Sequence, residues 1–147
     1  MRQIKFRAWD PDHSEWIQAF DVDRDGLVWY NHVGLLNAIL EQFTGLKDAN
    51  GKEIYEGDVV RWTLPKGFCH PTSYEIIQNA CTTISQVVWV DGCYELHGIG
   101  EYRGWETLLH GDVPRNEYAT IIGNIHQNPE LMEKHNQRAK PLLEKEK

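Results

Sequence analysis

Asp21, Asp23 and Asp25 alternate along Asp21-Val22-Asp23-Arg24-Asp25-Gly26. Carboxylates at the first, third and fifth positions and a glycine at the sixth are how an EF-hand calcium loop begins, and Val28 suits the eighth. The last ligand position falls on His32, where a bidentate Glu is needed, and no amphipathic helix precedes the segment. It reads as an acidic hairpin turn. Cys69, His70, Cys81, Cys93 and His97 are the thiols and imidazoles from which a zinc site would be drawn. Structural zinc takes four ligands, usually in two close pairs. Cys93 and His97 have an acceptable spacing, but Cys69 and His70 are adjacent, and the even interval between the cysteines matches no zinc pattern. No metal and no cofactor are expected.

A covalent mechanism needs a nucleophile, a base and an oxyanion donor. Ser14, Ser73 and Ser85 lie outside any Gly-x-Ser-x-Gly elbow. Gly98, Gly100 and Gly104 have the wrong spacing for a phosphate-cradling loop, and no helix follows them. His13, His32, His110, His126 and His135 are scattered. No catalytic residues emerge, so a non-enzymatic protein is expected.

The elements that would carry such groups are mostly strands. Ile4, Phe6 and Ala8 alternate with Lys5 and Arg7, which predicts a half-buried strand. Trp16 to Val22 reads as a second strand, Asp25-Gly26 as a hairpin turn and Leu27 to Tyr30 as its return. Between Val33 and Phe43 the apolar spacing predicts a short helical turn running into a strand that ends near Thr44. Val59–Leu64, Ile84–Val90, Cys93–Ile99 and Ala119–Ile125 read as further strands. Residues 61–83 read as an insertion loop between them, overlapping the strand ends. Asn128-Pro129-Glu130 predicts a helix start, because Asn caps, Pro suits the first turn and Glu complements the dipole. The division expected is a β domain over 1–128 and a C-terminal helix with a frayed tail over 129–147.

A chain of 147 residues with 41% hydrophobic residues can bury a core without staples. Six tryptophans suggest a core built around large rings. Three cysteines and a polar N-terminal stretch predict a reducing cytoplasm, and no apolar run is long enough to span a membrane. The net charge is −7. Residues 1–128 hold 10 Lys and Arg against 18 Asp and Glu, so the acidity lies in the β body. Such a surface lacks the cations that release counterions from phosphates, which argues against nucleic acid.

Three segments are more specific than composition: Ile4 to Asp10 (Ile-Lys-Phe-Arg-Ala-Trp-Asp), Gln42 to Val60 (Gln-Phe-Thr-Gly-Leu-Lys-Asp-Ala-Asn-Gly-Lys-Glu-Ile-Tyr-Glu-Gly-Asp-Val-Val) and Ile121 to Leu131 (Ile-Ile-Gly-Asn-Ile-His-Gln-Asn-Pro-Glu-Leu). Together they resemble the YopX family of phage and prophage proteins, in the family's order. The resemblance implies a mostly β fold with a small barrel; it implies no activity and supplies no catalytic residues. The chain departs from the shorter family pattern over residues 61–83.

The combined expectation is a mostly β fold: a small SH3-like barrel with additional hairpins and one C-terminal α-helix. The role expected is that of a phage accessory protein in the bacterial host cytoplasm, binding an unknown protein partner, with self-association left open. A nucleic-acid-binding module and a small metal-dependent hydrolase are the alternatives. Lys47, Asp48, Glu53, Glu56 and Asp58 are dense charges on a double turn around Asn50-Gly51 and Gly57. They are the expected recognition surface, since loops on a rigid β scaffold present polar groups without costing core stability.

Overall fold

The structure is a computed structural model that describes residues 3–64, 66–67, 81–98 and 119–133. The fold is mostly β, and every strand pair among the described residues is antiparallel. β1 (Phe6–Asp10), β2 (Glu15–Ile17), β6 (Ile39–Lys47) and β7 (Glu53–Tyr55) form one sheet in the order β2-β1-β6-β7. β8 (Asp58–Leu64), β9 (Cys81–Val90), β10 (Cys93–Gly98) and β11 (Ala119–Asn124) form a second, ordered β10-β9-β8-β11. β3 (Asp21–Val22), β4 (Val28–Tyr30) and β5 (Val33–Leu35) form a small third sheet, inserted between β2 and β6. Among the described residues no helix is long and apolar enough to cross a membrane.

Local chemistry explains the turns. Val90 pairs with Cys93 across Asp91 and Gly92, whose φ values are 47° and 91°. A two-residue hairpin with both φ values positive follows the strand twist, and Asp-Gly is among its preferred sequences. Tyr30 and Val33 are joined in the same way across Asn31 (φ 50°) and His32 (φ 63°). Glycine would adopt this conformation more readily than histidine.

The core lies on the second sheet and on what packs against it. Ile54, Val60, Val87, Tyr94, Leu96 and Ala119 form one buried cluster, flanked by Leu46 and Ile121. The join between the two large sheets is the turn at Glu56-Gly57. Glu56 N–H donates to Gln42 C=O at 2.9 Å, and Gly57 N–H to Val87 C=O at 2.8 Å. Ile125 N–H donates back to Gly57 C=O at 3.0 Å. One turn thereby bonds to β6, β9 and the end of β11.

Several expectations change. Trp16–Val22 is not one strand: β2 ends at Ile17, and β3 belongs to another sheet. The helical turn expected after Val33 is instead β5 and a turn, because the apolar residues do not share a buried face; Leu36 is 87% exposed. In the first strand the expected inner face holds only at Ala8. Ile4 is 71% exposed and Phe6 also faces solvent, whereas Trp9 and Asp10 are buried. Of the tryptophans whose side chains are described, Trp9 is buried, Trp16 half-buried, and Trp29 and Trp89 exposed. The expected loop over 61–83 narrows, because 61–64 and 81–83 are paired strand; the rest of it, apart from residues 66 and 67, lies outside the described residues. The C-terminal helix starts at Glu130 and is described to Glu133; the remainder of 129–147 lies outside the described residues. The Asn128 side chain accepts the Asn124 N–H at 3.3 Å, and its backbone carbonyl accepts the Leu131 N–H.

Candidate functional site

The double turn from Lys47 to Asp58 does not present its charges together. Asp48 is 6% exposed. Its Oδ1 accepts the N–H groups of Asn50 and Lys52, each at 2.9 Å, and its Oδ2 accepts that of Ile121 at 3.0 Å. Burial pushes the Asp48 carboxyl up, but these N–H groups outweigh it and hold the group below the usual carboxylate range. The side chain fastens the turn to β11, where Ala49 N–H also reaches Ala119 C=O. Asp58 is 2% exposed, and its Oδ2 accepts the Tyr55 N–H at 2.8 Å. Neither aspartate is a surface group: Asp48 gives both oxygens to backbone N–H groups, and Asp58 gives Oδ2 to one. Glu53 is half-buried and pairs with Lys5 Nζ at 2.7 Å, and the Tyr55 hydroxyl donates to it at 3.1 Å. The Lys5 hydrogen bond is the main reason its carboxyl is held low. Glu56 is half-buried, and Lys47 is exposed at the end of β6, opposite Glu53.

The densest group of charges lies deeper, where the large sheets meet. The Arg7 guanidinium sits between the Trp16 ring at 4.3 Å and the Tyr55 ring at 4.6 Å. Its Nε donates to Glu41 Oε2 at 2.8 Å, and Nη2 lies 2.7 Å from the same oxygen and 2.6 Å from Asp58 Oδ1. Glu41 Oε1 is 2.8 Å from His126 Nε2, and Asn124 Nδ2 donates to Oε2 at 3.2 Å. Trp9 stacks on the His126 ring with centroids 5.8 Å apart. Burial raises the Glu41 carboxyl above its ordinary value, against the pull of Arg7 and His126. A planar, always-charged guanidinium is the side chain suited to this position, since it stacks and donates in a fork at once.

Sequence reasoning missed this cluster, because Arg7 reads as the solvent side of an alternating strand and His126 as one scattered histidine. A signal was nevertheless present: Arg7, Asp58, Asn124 and His126 fall within the three segments that carry the family resemblance, and Glu41 immediately precedes the second. The cluster's chemistry is that of a clamp. Its donors and acceptors are turned on one another, joining β1, β6, β8 and the end of β11.

Open surface is found on the small sheet. A groove of about 470 Å³ lies between β2 and the β4–β5 hairpin, with Asp10, His13, Glu15, Trp16, Tyr30 and Val33 in its walls. Asp10 Oδ2 is 2.7 Å from His13 Nδ1, and Asp10 Oδ1 accepts the Asp12 N–H at 2.9 Å. The hydrogen bond to Asp10 raises the His13 imidazole above its ordinary value, and His13 in turn is the main cause holding Asp10 low. On the other side of the hairpin a second groove, of about 530 Å³, is lined by Phe20, Asp21, Trp29, Asn31 and His32. Val33 is 59% exposed, and Trp29, Tyr30 and Leu36 are exposed as well; Tyr30 pairs with Val33, whereas Trp29 faces the other side of the sheet.

Of the calcium-like segment, Asp23 is occupied as a turn former. It accepts the Asp25 and Leu27 N–H groups at 2.9 Å and the Trp29 Nε1–H at 3.0 Å. Of the zinc candidates, the Cys93 thiol donates to Val90 C=O at 3.3 Å, and His97 pairs with Glu95 at 2.7 Å. Cys69, His70 and the Cys81 side chain lie outside the described residues. Among the described residues no three His, Cys, Asp or Glu side chains are grouped as a metal site requires.

A family model described as YopX protein matches residues 5–133. Among solved structures, the chain is similar to the crystal structure of protein EF1440 from Enterococcus faecalis, with a TM-score of 0.60 and 22% identity. That likeness covers 90% of this chain and 99% of the other, and it speaks for the fold. Comparison with curated proteins finds no match.

Proposed function

The chain belongs to the YopX family, and on that premise we propose that it is a non-enzymatic accessory module that binds a protein partner through its small sheet. The observation that carries this reading is a division of labour. The charges of half-buried Arg7 and of buried Glu41, Asp58 and Asp48 are turned on one another and on the backbone. The exposed apolar side chains Trp29, Tyr30, Val33 and Leu36 gather on β4, β5 and the turn after it. Tyr30 and Val33 face one side of this sheet and Trp29 the other, and exposed apolar side chains with a polar rim are characteristic of protein-interaction sites. The small sheet therefore replaces the Lys47–Asp58 turn as the proposed contact surface.

A phage or prophage setting, which the family resemblance implies, and a host-cytoplasm location belong to the same proposal. So does an SH3-like arrangement of the strands, for which the antiparallel run β8-β9-β10 with β11 returned to β8 is the support. The acidic balance of −7 disfavours phosphate backbones as partners. The test is a pull-down from host cells with the wild type and with Leu36→Asp and Trp29→Ala variants. Partners lost from both variants are the expected result. An unchanged partner set, or sub-micromolar binding of DNA at about 0.15 M salt, would overturn the reading.

A further inference from the structure

We propose that the groove between β2 and β5 takes an extended segment of a partner protein, which pairs as a β-strand and places a Lys or Arg against Glu15. The inference rests on the protein-binding reading and names the partner's chemistry. Among the described strands, β2 is the outer one of the first sheet and β5 the outer one of the small sheet. Residues of both strands line the same groove. An outer strand offers a row of N–H and C=O groups to an incoming chain. Among the described residues the only backbone bond to either strand beyond its own ladder is Ala38 N–H to Leu35 C=O, at 3.5 Å.

Size fits the same occupant. At sheet spacings a strand residue fills roughly 160 Å³, so about 470 Å³ holds about three residues. β2 and β5 are themselves three residues long. Trp16, Tyr30, Val33 and Leu35 supply apolar wall for the side chains on one face of the incoming strand. The frame is held at one end by Asn37 Nδ2, which donates to Asp12 Oδ2 at 3.1 Å and links the β1–β2 turn to the segment after β5.

Charge selects the end group. Asp10 and Glu15 line the groove, and no Lys or Arg does among the described residues. Asp10 is engaged by His13. Glu15 acts on the nearby His13 imidazole through its charge but makes no hydrogen bond or ion pair among the described residues, so its carboxylate can take an incoming cation. A second copy of the chain would bring the same net charge of −7 against this acidic rim, and like charge slows and weakens such an encounter.

The probe is a blocked seven-residue peptide that alternates Val and Thr and carries one Arg near its end, titrated into the full chain. Amide chemical shifts and calorimetry are read. Shifts confined to residues 15–18 and 33–35 are expected. N-methylating one central peptide amide should weaken binding about tenfold, because it removes a strand hydrogen bond without changing the protein. Replacing the peptide Arg with Glu should weaken binding about threefold, and Glu15→Lys should restore the acidic peptide by a similar factor. Equal binding of the N-methylated peptide, no charge-swap rescue, or no binding at about 1 mM would each overturn the proposal. So would self-association of the unliganded chain that moves the same amides. If partners are still lost from the Leu36→Asp and Trp29→Ala variants, the protein-binding reading survives any of these failures.

Discussion

The Gly57 α-carbon lies so close to Glu41 that a side chain at that position would collide with the buried carboxylate. Gly57 also has φ +81°, in the left-handed region. Two independent reasons thus require glycine at the turn that joins the large sheets. Gly45 has φ +88° but open space where a Cβ would stand. Gly45→Ala should therefore cost about 1 kcal/mol from backbone strain alone. Gly57→Ala should cost clearly more, about 3 kcal/mol or above, because the Glu41–Arg7 contact must also move. Urea denaturation of the two variants side by side measures the difference, and equal losses would show that the carboxylate yields freely.

Arg7 is the one cation that faces both Glu41 and Asp58 among the described residues. Removing it as Arg7→Met leaves two buried carboxylates without the guanidinium they share, a loss of about 3 kcal/mol. Arg7→Lys keeps the charge but loses the fork and the stacking between Trp16 and Tyr55, so about 1–2 kcal/mol is expected. Adding Glu41→Gln to Arg7→Met should recover part of the loss. Denaturant midpoints for the three variants check the order.

Acid should unfold the protein through its turn carboxylates. Asp48 and Glu53 have folded pKa values below their ordinary ones. Their stabilisation is present above the unfolded values and is lost as pH falls through the folded ones. Glu41 has the opposite sign: its raised value makes its contribution largest below its unfolded pKa, lost as pH rises through the folded one. Stability should therefore fall below about pH 4, and Asp48→Asn should flatten that limb. Glu41→Gln should steepen it. Midpoints measured from pH 2.5 to 6 would reveal either slope, and an unaltered acid limb in Asp48→Asn would refute the assignment.

His13 titrates at the groove. Its imidazole should show a midpoint above the ordinary histidine value in an NMR titration, and Asp10→Asn should bring it back. The stabilisation from this pair is complete below the unfolded histidine value and disappears as pH rises through the raised one. A midpoint that ignores Asp10→Asn would contradict the pairing.

The Asn31-His32 turn places a histidine at φ 63°. His32→Gly gives the Asn-Gly pair that such a hairpin prefers and should stabilise the chain by about 1 kcal/mol. Thermal unfolding measures it. A loss of stability would mean that the imidazole makes a contact that outweighs the strain.

The strands that carry their own punctuation were legible in the sequence. β9 and β10 are bounded by Asp91-Gly92, and β3 and β4 by Asp25-Gly26, so local chemistry was enough. Which sheet a strand joins was not legible, as β2 and β3 show, because three consecutive polar-apolar residues look alike in either sheet. The charged turn misled because Asp48 and Asp58 resemble solvated loop residues until their backbone partners, Ile121 in one case and Tyr55 in the other, are known. The Arg7–Glu41 pair is 34 residues apart in sequence, beyond the reach of any local pattern. The groove beside β5 was invisible for a related reason: its walls come from strands of separate sheets.

The register around β1 has an architectural consequence. Ile17, where β2 ends, pairs with Ala8, and Ile39, where β6 begins, pairs with Trp9. The small sheet thus leaves the body and returns to it across a single strand, at neighbouring positions. Two strands flanking a third are about 10 Å apart, a gap that a few residues of flexible linker span. The ends of the lobe from residue 18 to residue 38 can therefore be joined by a short linker. Replacing the lobe with a short Gly-Ser bridge should leave a body that folds with its Arg7–Glu41 clamp in place, and a transplanted lobe of different sequence should carry a different partner preference onto the same frame.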